Sequence, residues 1–282
     1  MNMRTDLALE SIDAEKISNG IYRSSRGEAF RITEIQISDD SCGKKIGKRK
    51  GKYITLEGSP LGRFSEEFRK MASELSNELA PLIPDGPALV LGLGNSDITP
   101  DALGPMCASG ILATRHLSEE LGSEDEFLSS LRPVSVLASG VLGQTGIETA
   151  EITNALSQKI KPSCVIAVDA LACCDVNRLG TTIQISDSGI SPGSGVANRR
   201  REISQETLGV PVIAVGVPTV VDMYTIAENL TGKETQPDMP NMMVTPRDID
   251  RLVERSSSLI SAGLNLALHP QLSYEEVENI MF

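Results

Sequence analysis

The sequence predicts an α/β fold: a mostly parallel sheet flanked by helices on both faces, with an extra hairpin and a loop insertion. Two observations predict it. Short runs rich in Val, Ile and Leu recur along the 282-residue chain, and stretches with helical spacing of apolar residues separate them. Runs of five to seven residues that are apolar at nearly every position suit strands buried on both faces. Strands separated by helices need crossover connections, and those make a sheet parallel.

Taken in chain order, residues 28–57 read as extended. "AFRITEIQI" and "KYITLEG" flank "GKKIGKRKGK", which reads as a charged hairpin tip or a mobile loop with solvated basic residues. Phe64, Phe68, Met71, Leu75 and Leu79 then recur at helical spacing, with Ser65 as the expected cap and Glu66 and Glu67 in the first turn. The expected strands follow at "ALVLGL" (88–93), "VSVLA" (134–138), "CVIAVDA" (164–170), "TTIQIS" (181–186) and "VIAVGV" (212–217). Expected helices cover 101–121, 147–160, 219–230 and 246–264, the last opened by Thr245 as cap and Pro246 at its first position. Residues 186–204, rich in Gly, Ser and Pro, form a loop longer than a simple connection requires, which favours a functional role.

Composition narrows the function classes. A chain with 40% hydrophobic residues can bury a full core, and a formal charge of −12 argues against broad nucleic-acid binding. No segment approaches the roughly 20 apolar residues needed to cross a bilayer, and the N-terminus lacks the apolar core of a secretion signal, so the reading is a cytoplasmic protein. Five cysteines without C-x-x-C spacing suggest neither a disulfide framework nor a zinc ribbon.

The stretch "GLGNSDITPDALGP" (92–105) follows the end of an apolar run, where α/β sheets gather their ligands and chemistry. It fails as a dinucleotide fingerprint, because Gly92 and Gly94 are followed by no third glycine at the required spacing. Thr99 and Pro100 can open a helix with Asp101 in its first turn, where a carboxylate is favoured. Asp169 ends "CVIAVD" and shares that address at a strand's carboxyl end. Two carboxylates a few ångströms apart resist ionising together, so one holds a proton while the other stays charged, and such a pair can activate water and protonate a leaving group. Asp97, Asp175, Asp187 and Asp222 lie near other strand ends, so position alone leaves the choice of pair open.

"GLGNSDITPDALGP", "VDALA" (168–172), "ISDSGISPGSGVANRRREIS" (185–204) and "VGVPTVVD" (215–222) together resemble the germination proteases of spore-forming bacteria. The resemblance runs from "RTDLALE" to "VTPRDID". It implies an endopeptidase that degrades small acid-soluble spore proteins in the spore interior, with Asp101 and Asp169 as the catalytic pair of an atypical aspartic protease. It also implies a core related to hydrogenase maturation proteases, a homotetramer and no cofactor. The family is made as a zymogen that removes its own leader and cleaves after an acidic residue, before a hydrophobic residue and alanine. "RTD-LALE" offers that pattern at Asp6–Leu7, giving residues 1–6 as a propeptide and 7–282 as a single protease domain. Ala197 and Ser188 depart from the family's usual Gly and Thr.

Glycine content alone nominates the backbone N–H groups of Gly92, Gly94, Asn95, Gly193 and Gly195 as oxyanion donors. Neither histidine, His116 or His269, lies near a strand end, which disfavours a serine triad and leaves Cys173 and Cys174 without a base. Two alternatives stay open: a metal-reading protease of the hydrogenase maturation type, in which the two aspartates are ligands, and a non-catalytic α/β binding module.

Overall fold

The computed structural model describes residues 5–15, 21–39, 47–120, 125–193, 200–232 and 242–281. Among them, nine strands form one sheet. Strands β1 (Ile21–Arg26), β2 (Arg31–Ile37) and β3 (Gly51–Glu57) form an antiparallel meander at one edge. Helix α1 (Ala8–Glu15) precedes them and α2 (Phe68–Leu79) follows them. Four parallel strands make the other half: β4 (Ala88–Gly92), β5 (Val134–Ala138), β6 (Cys164–Cys173) and β8 (Val212–Asp222). β7 (Thr182–Ser186) joins the halves, antiparallel to both β3 and β8, so the spatial order is β1-β2-β3-β7-β8-β6-β4-β5. A two-residue strand, β9 (Met243–Val244), pairs with the end of β8.

The apolar runs give the parallel strands two buried faces. Ala88, Val90, Ile166, Val168, Ile213 and Val215 pack with Leu75 and Leu79 of α2, with Leu103 and Cys107 of α3 (Leu103–Ser109), and with Leu259 and Ile260 of the long helix at Ile249–Leu268. Leu89, Leu91, Val165, Ala167 and Val212 face the other way, against Ala150, Leu156 and Ile160 of the helix at Thr149–Ile160. Helices therefore cover both faces, as the sequence predicts.

Several boundaries differ from expectation. The helix expected at 101–121 is broken into a 3₁₀ turn (Thr99–Asp101), α3 and a short helix at Arg115–Glu120. Asn265, buried in the helix at Ile249–Leu268, stabilises the break: its Nδ2 donates to the Gly110 carbonyl at 2.9 Å and its Oδ1 accepts from Leu112 N–H at 2.9 Å. The helix expected from 219 begins only at Met223, because Val220 and Val221 continue β8 opposite Ala172 and Cys173, and Asp222 caps the helix through Tyr224 N–H and Thr225 N–H. The long helix expected at 246–264 runs Ile249–Leu268 with Asp248 at its cap position rather than Thr245, and a last helix follows at Tyr274–Met281. Ser65 Oγ accepts from Glu67 N–H, but α2 starts at Phe68 and Phe64 lies outside it, exposed. Strand β1 has no counterpart in the sequence reading.

Candidate active site

The chain passes from β4 to β5 on one side of the sheet, while β6, on β4's other side, leads away to β7 and β8. Connections leaving in opposite directions open a crevice beyond the carboxyl ends of β4 and β6. Both candidate aspartates belong to that crevice. Gly92 ends β4 opposite Val168, so Asp169 is the first β6 residue beyond the end of β4.

The loop after β4 folds back tightly, and its glycines are there for that reason. A Cβ on Gly104 would lie 2.5 Å from the Leu93 nitrogen and nearer still to the carbonyl oxygens of Leu93 and Val168. Gly94 has φ +112 and touches the Asp101 carbonyl. The return brings Asp101 Oδ2 to 2.7 Å from Asn95 N–H, and Thr219 Oγ1 of β8 ties the loop down through the Pro100 carbonyl at 2.8 Å. Gln144 holds Asn95 from outside, donating to its Oδ1 at 2.7 Å. Asn95 N–H is thereby committed to Asp101 rather than to an oxyanion.

Asp101 and Asp169 line one cavity of about 460 Å³. Burial raises the Asp101 carboxyl above the usual carboxylate range, opposed by Asn95 N–H. Asp169 is raised well above it, first by burial, then by the charges of Asp101 and Asp6, opposed by Ala170 N–H. Burial and the neighbouring carboxylate charges thus both disfavour ionisation of Asp169.

Asp6, which the N-terminal segment delivers, and Glu148 also line this cavity. Asp6 bridges to Ala172 of β6 in both directions, donating its N–H to the carbonyl at 2.9 Å and accepting the Ala172 N–H on Oδ2 at 2.9 Å. Leu7 is fully buried against Leu171, Cys173 and Val221. Ala8 is also fully buried, beside Ile35, Ile37 and Tyr53. Glu10 completes the anchor, accepting Cys174 N–H at 2.8 Å and Asp175 N–H at 2.9 Å, with Arg178 3.7 Å away.

A family model of germination proteases matches residues 2–235. The chain belongs to the germination protease family. It is 42% identical to the germination protease of Caldanaerobacter subterraneus subsp. tengcongensis, with 100% of this chain and 98% of that relative covered. The corresponding protein of Clostridium tetani is 40% identical, with both chains covered completely. That of Priestia megaterium is 34% identical over 97% of this chain and 95% of the relative. Membership of this peptidase family makes the chain a protease.

The other residues singled out in this germination protease homologue are placed as follows. Gly193 lines the cavity, whereas Gly195 and Ala197 lie outside the described residues. Exposed His116 and fully buried His269 are both absent from the cavity lining. Burial pushes the thiols of Cys173 and Cys174 upward, away from thiolate chemistry. Among the described residues no group of three or more His, Cys, Asp or Glu is arranged to hold a metal, and no helix is long and apolar enough to cross a membrane. Two site residues escaped the sequence reading. Lys48, taken as part of a solvated tip, turns inward onto the Asp6 carbonyl at 2.7 Å, and Gln184 donates to the same oxygen at 2.9 Å. For Gln184 the sequence held one signal, a long polar side chain between two isoleucines, and for Lys48 it held none.

Proposed function

We propose that this germination protease homologue initiates degradation of small acid-soluble spore proteins in the germinating spore, as a zymogen that first cuts its own Asp6–Leu7 bond. The observation that carries the reading is the convergence of Asp101, Asp169 and the Asp6 junction on one cavity. Asp101, whose carboxyl is the less strongly raised, is the general base that takes a proton from water, and Asp169 is the acid that protonates the departing amine. Residues 1–6 are the leader and 7–282 the protease domain.

The subsites around the junction agree with cleavage before a hydrophobic residue followed by alanine. Leu7 fills an apolar pocket, and Ala8 has no exposed surface left for a larger side chain. Arg200 and Arg201 on the cavity wall suit acidic substrates. On the family resemblance we also read the active form as a homotetramer, which sedimentation velocity checks.

The test is mass spectrometry of the purified chain over time at mildly acidic and neutral pH, for wild type, Asp101→Asn and Asp169→Asn. The expected result is loss of residues 1–6 from wild type and from neither folded variant. Equal processing in both variants overturns the aspartate pair as the catalyst.

A further inference from the structure

Hydrolysis of a peptide bond develops negative charge on the carbonyl oxygen, and preorganised donors at that oxygen supply much of the catalysis. At the Asp6–Leu7 bond that oxygen already has two donors: Lys48 Nζ at 2.7 Å and Gln184 Nε2 at 2.9 Å. Strand register explains the second. Asp169, Gly216 and Gln184 lie directly opposite one another on β6, β8 and β7, so all three face the same side of the sheet. Gly216 leaves a notch in this row, since a Cβ there would meet the Asp169 carbonyl oxygen and the Leu171 side chain, each at 2.6 Å. Asp6, Lys48, Asp169, Gln184 and Gly216 together line a second cavity of about 320 Å³ that meets the first at Asp169.

The Gln184 amide has only one orientation open to it. Its Oε1 accepts Ala8 N–H at 2.6 Å, so its NH₂ faces the Asp6 oxygen and the one side chain brackets the bond from both sides. Lys48 approaches from the loop before β3, also donating to the Thr5 carbonyl at 3.3 Å. Burial pushes its ammonium pKa down, while the negative charges of Asp6 and Glu10 oppose the shift.

We propose that Lys48 and Gln184 are the oxyanion donors of this protease, a role that rests on the aspartate-pair reading above. Water adds to the Asp6 carbonyl carbon as one of its protons passes to ionised Asp101. The carbonyl π pair moves onto oxygen, where the Lys48 and Gln184 N–H groups meet it. On collapse the C–N bond breaks and the Leu7 nitrogen takes its proton from Asp169, leaving a new carboxyl group on Asp6 and a free amine on Leu7.

The sequence provides a clean probe, because Asp6–Leu7 is the only Asp-Leu dipeptide in the chain. Labelling aspartate with ¹³C at its backbone carbonyl and leucine with ¹⁵N gives one carbonyl–nitrogen correlation in the NMR spectrum, which reports the donors while the bond is intact and vanishes when it is cut. In the unprocessed Asp101→Asn chain, adding Lys48→Met is expected to move the carbonyl resonance upfield. In the active chain, Lys48→Met is expected to slow loss of the signal by about 10²–10³-fold, with Lys48→Arg recovering most of the rate. Lys48→Gln, which keeps a neutral donor, serves if the methionine variant does not fold, and its rate should fall between wild type and a donorless site. An unshifted carbonyl, or processing of the folded Lys48 variants at the wild-type rate, overturns the proposal. Signal loss at the wild-type rate in Asp101→Asn and Asp169→Asn would instead sink the aspartate reading, while the carbonyl shift would still show whether the donors engage.

Discussion

Gly104→Ala tests whether the fold-back of the loop after β4 sets the position of Asp101. The added Cβ would stand 2.5 Å from the Leu93 nitrogen and closer to two carbonyl oxygens, against the 3.0 Å that real Cβ atoms keep. All three obstacles are backbone, just past the end of β4 and in the middle of β6, so α3 must retreat by half an ångström or more. Overpacking of this kind costs about 1–3 kcal/mol, and contact with backbone puts Gly104→Ala near the upper end. The melting temperature should fall by roughly 6–12 °C, scaling from proteins somewhat smaller than this one. Because α3 begins two residues after Asp101, the retreat also misplaces the carboxylate, and a shift approaching 1 Å lowers turnover by about 10²-fold. Thermal melts followed by circular dichroism, with kcat and KM on a peptide containing Glu-Leu-Ala, measure both effects. The control is Gly143→Ala, whose Cβ meets nothing within 4 Å and should change stability by no more than about 0.5 kcal/mol. A Gly104→Ala protein that melts and turns over like wild type would refute the reasoning.

Two titrations give predictions of opposite sign. Burial pushes His269 from 6.5 down to about 4, so the folded chain keeps the ring neutral where the unfolded chain protonates it, and stability is lost as pH falls from 6.5 toward 4. This amounts to about 3 kcal/mol, and His269→Leu should remove most of it from the difference between urea midpoints at pH 7 and pH 4. Asp169 behaves in reverse: its raised carboxyl contributes stability below the unfolded value of 3.8 that is lost as pH rises through the folded value. Asp169→Asn should therefore melt above wild type by a margin that widens from pH 4 to pH 7, and a margin that narrows over that range would exclude a buried, proton-retaining Asp169.

The parallel half of the sheet was legible because strands buried on both faces must be apolar throughout, and "ALVLG" and "CVIAV" have no other ready use. Asp101 and Asp169 were legible as candidates for a related reason, since each interrupts or follows such a run at its carboxyl end. What the sequence did not disclose depends on contacts between distant residues. "VVD" at 220–222 suits a helix start as well as a strand end, and pairing with Ala172 and Cys173 decides for the strand. The purpose of Gly104 is visible only against the carbonyls of Leu93 and Val168, which the loop meets by folding back. Gln184 reaches the site through a register spanning three strands, and Lys48 through a loop whose composition suggests a solvated surface.

The seams that hold the N-terminal segment are unevenly distributed about the Asp6–Leu7 bond. Beyond it, Leu7, Ala8, Leu9 and Glu10 are all buried, whereas Asp6 and Thr5 before it are only partly so. On the proposed reading, a cut there frees the leader and leaves the new amino terminus sewn into the sheet, so activation removes an occupant without unpicking the fold. The bond is also delivered to the cavity by its own chain, at an effective concentration that dilution cannot alter. On that same reading the leader works as a clock whose period is set by the chemistry of one cavity, independent of how many copies of the protein surround it.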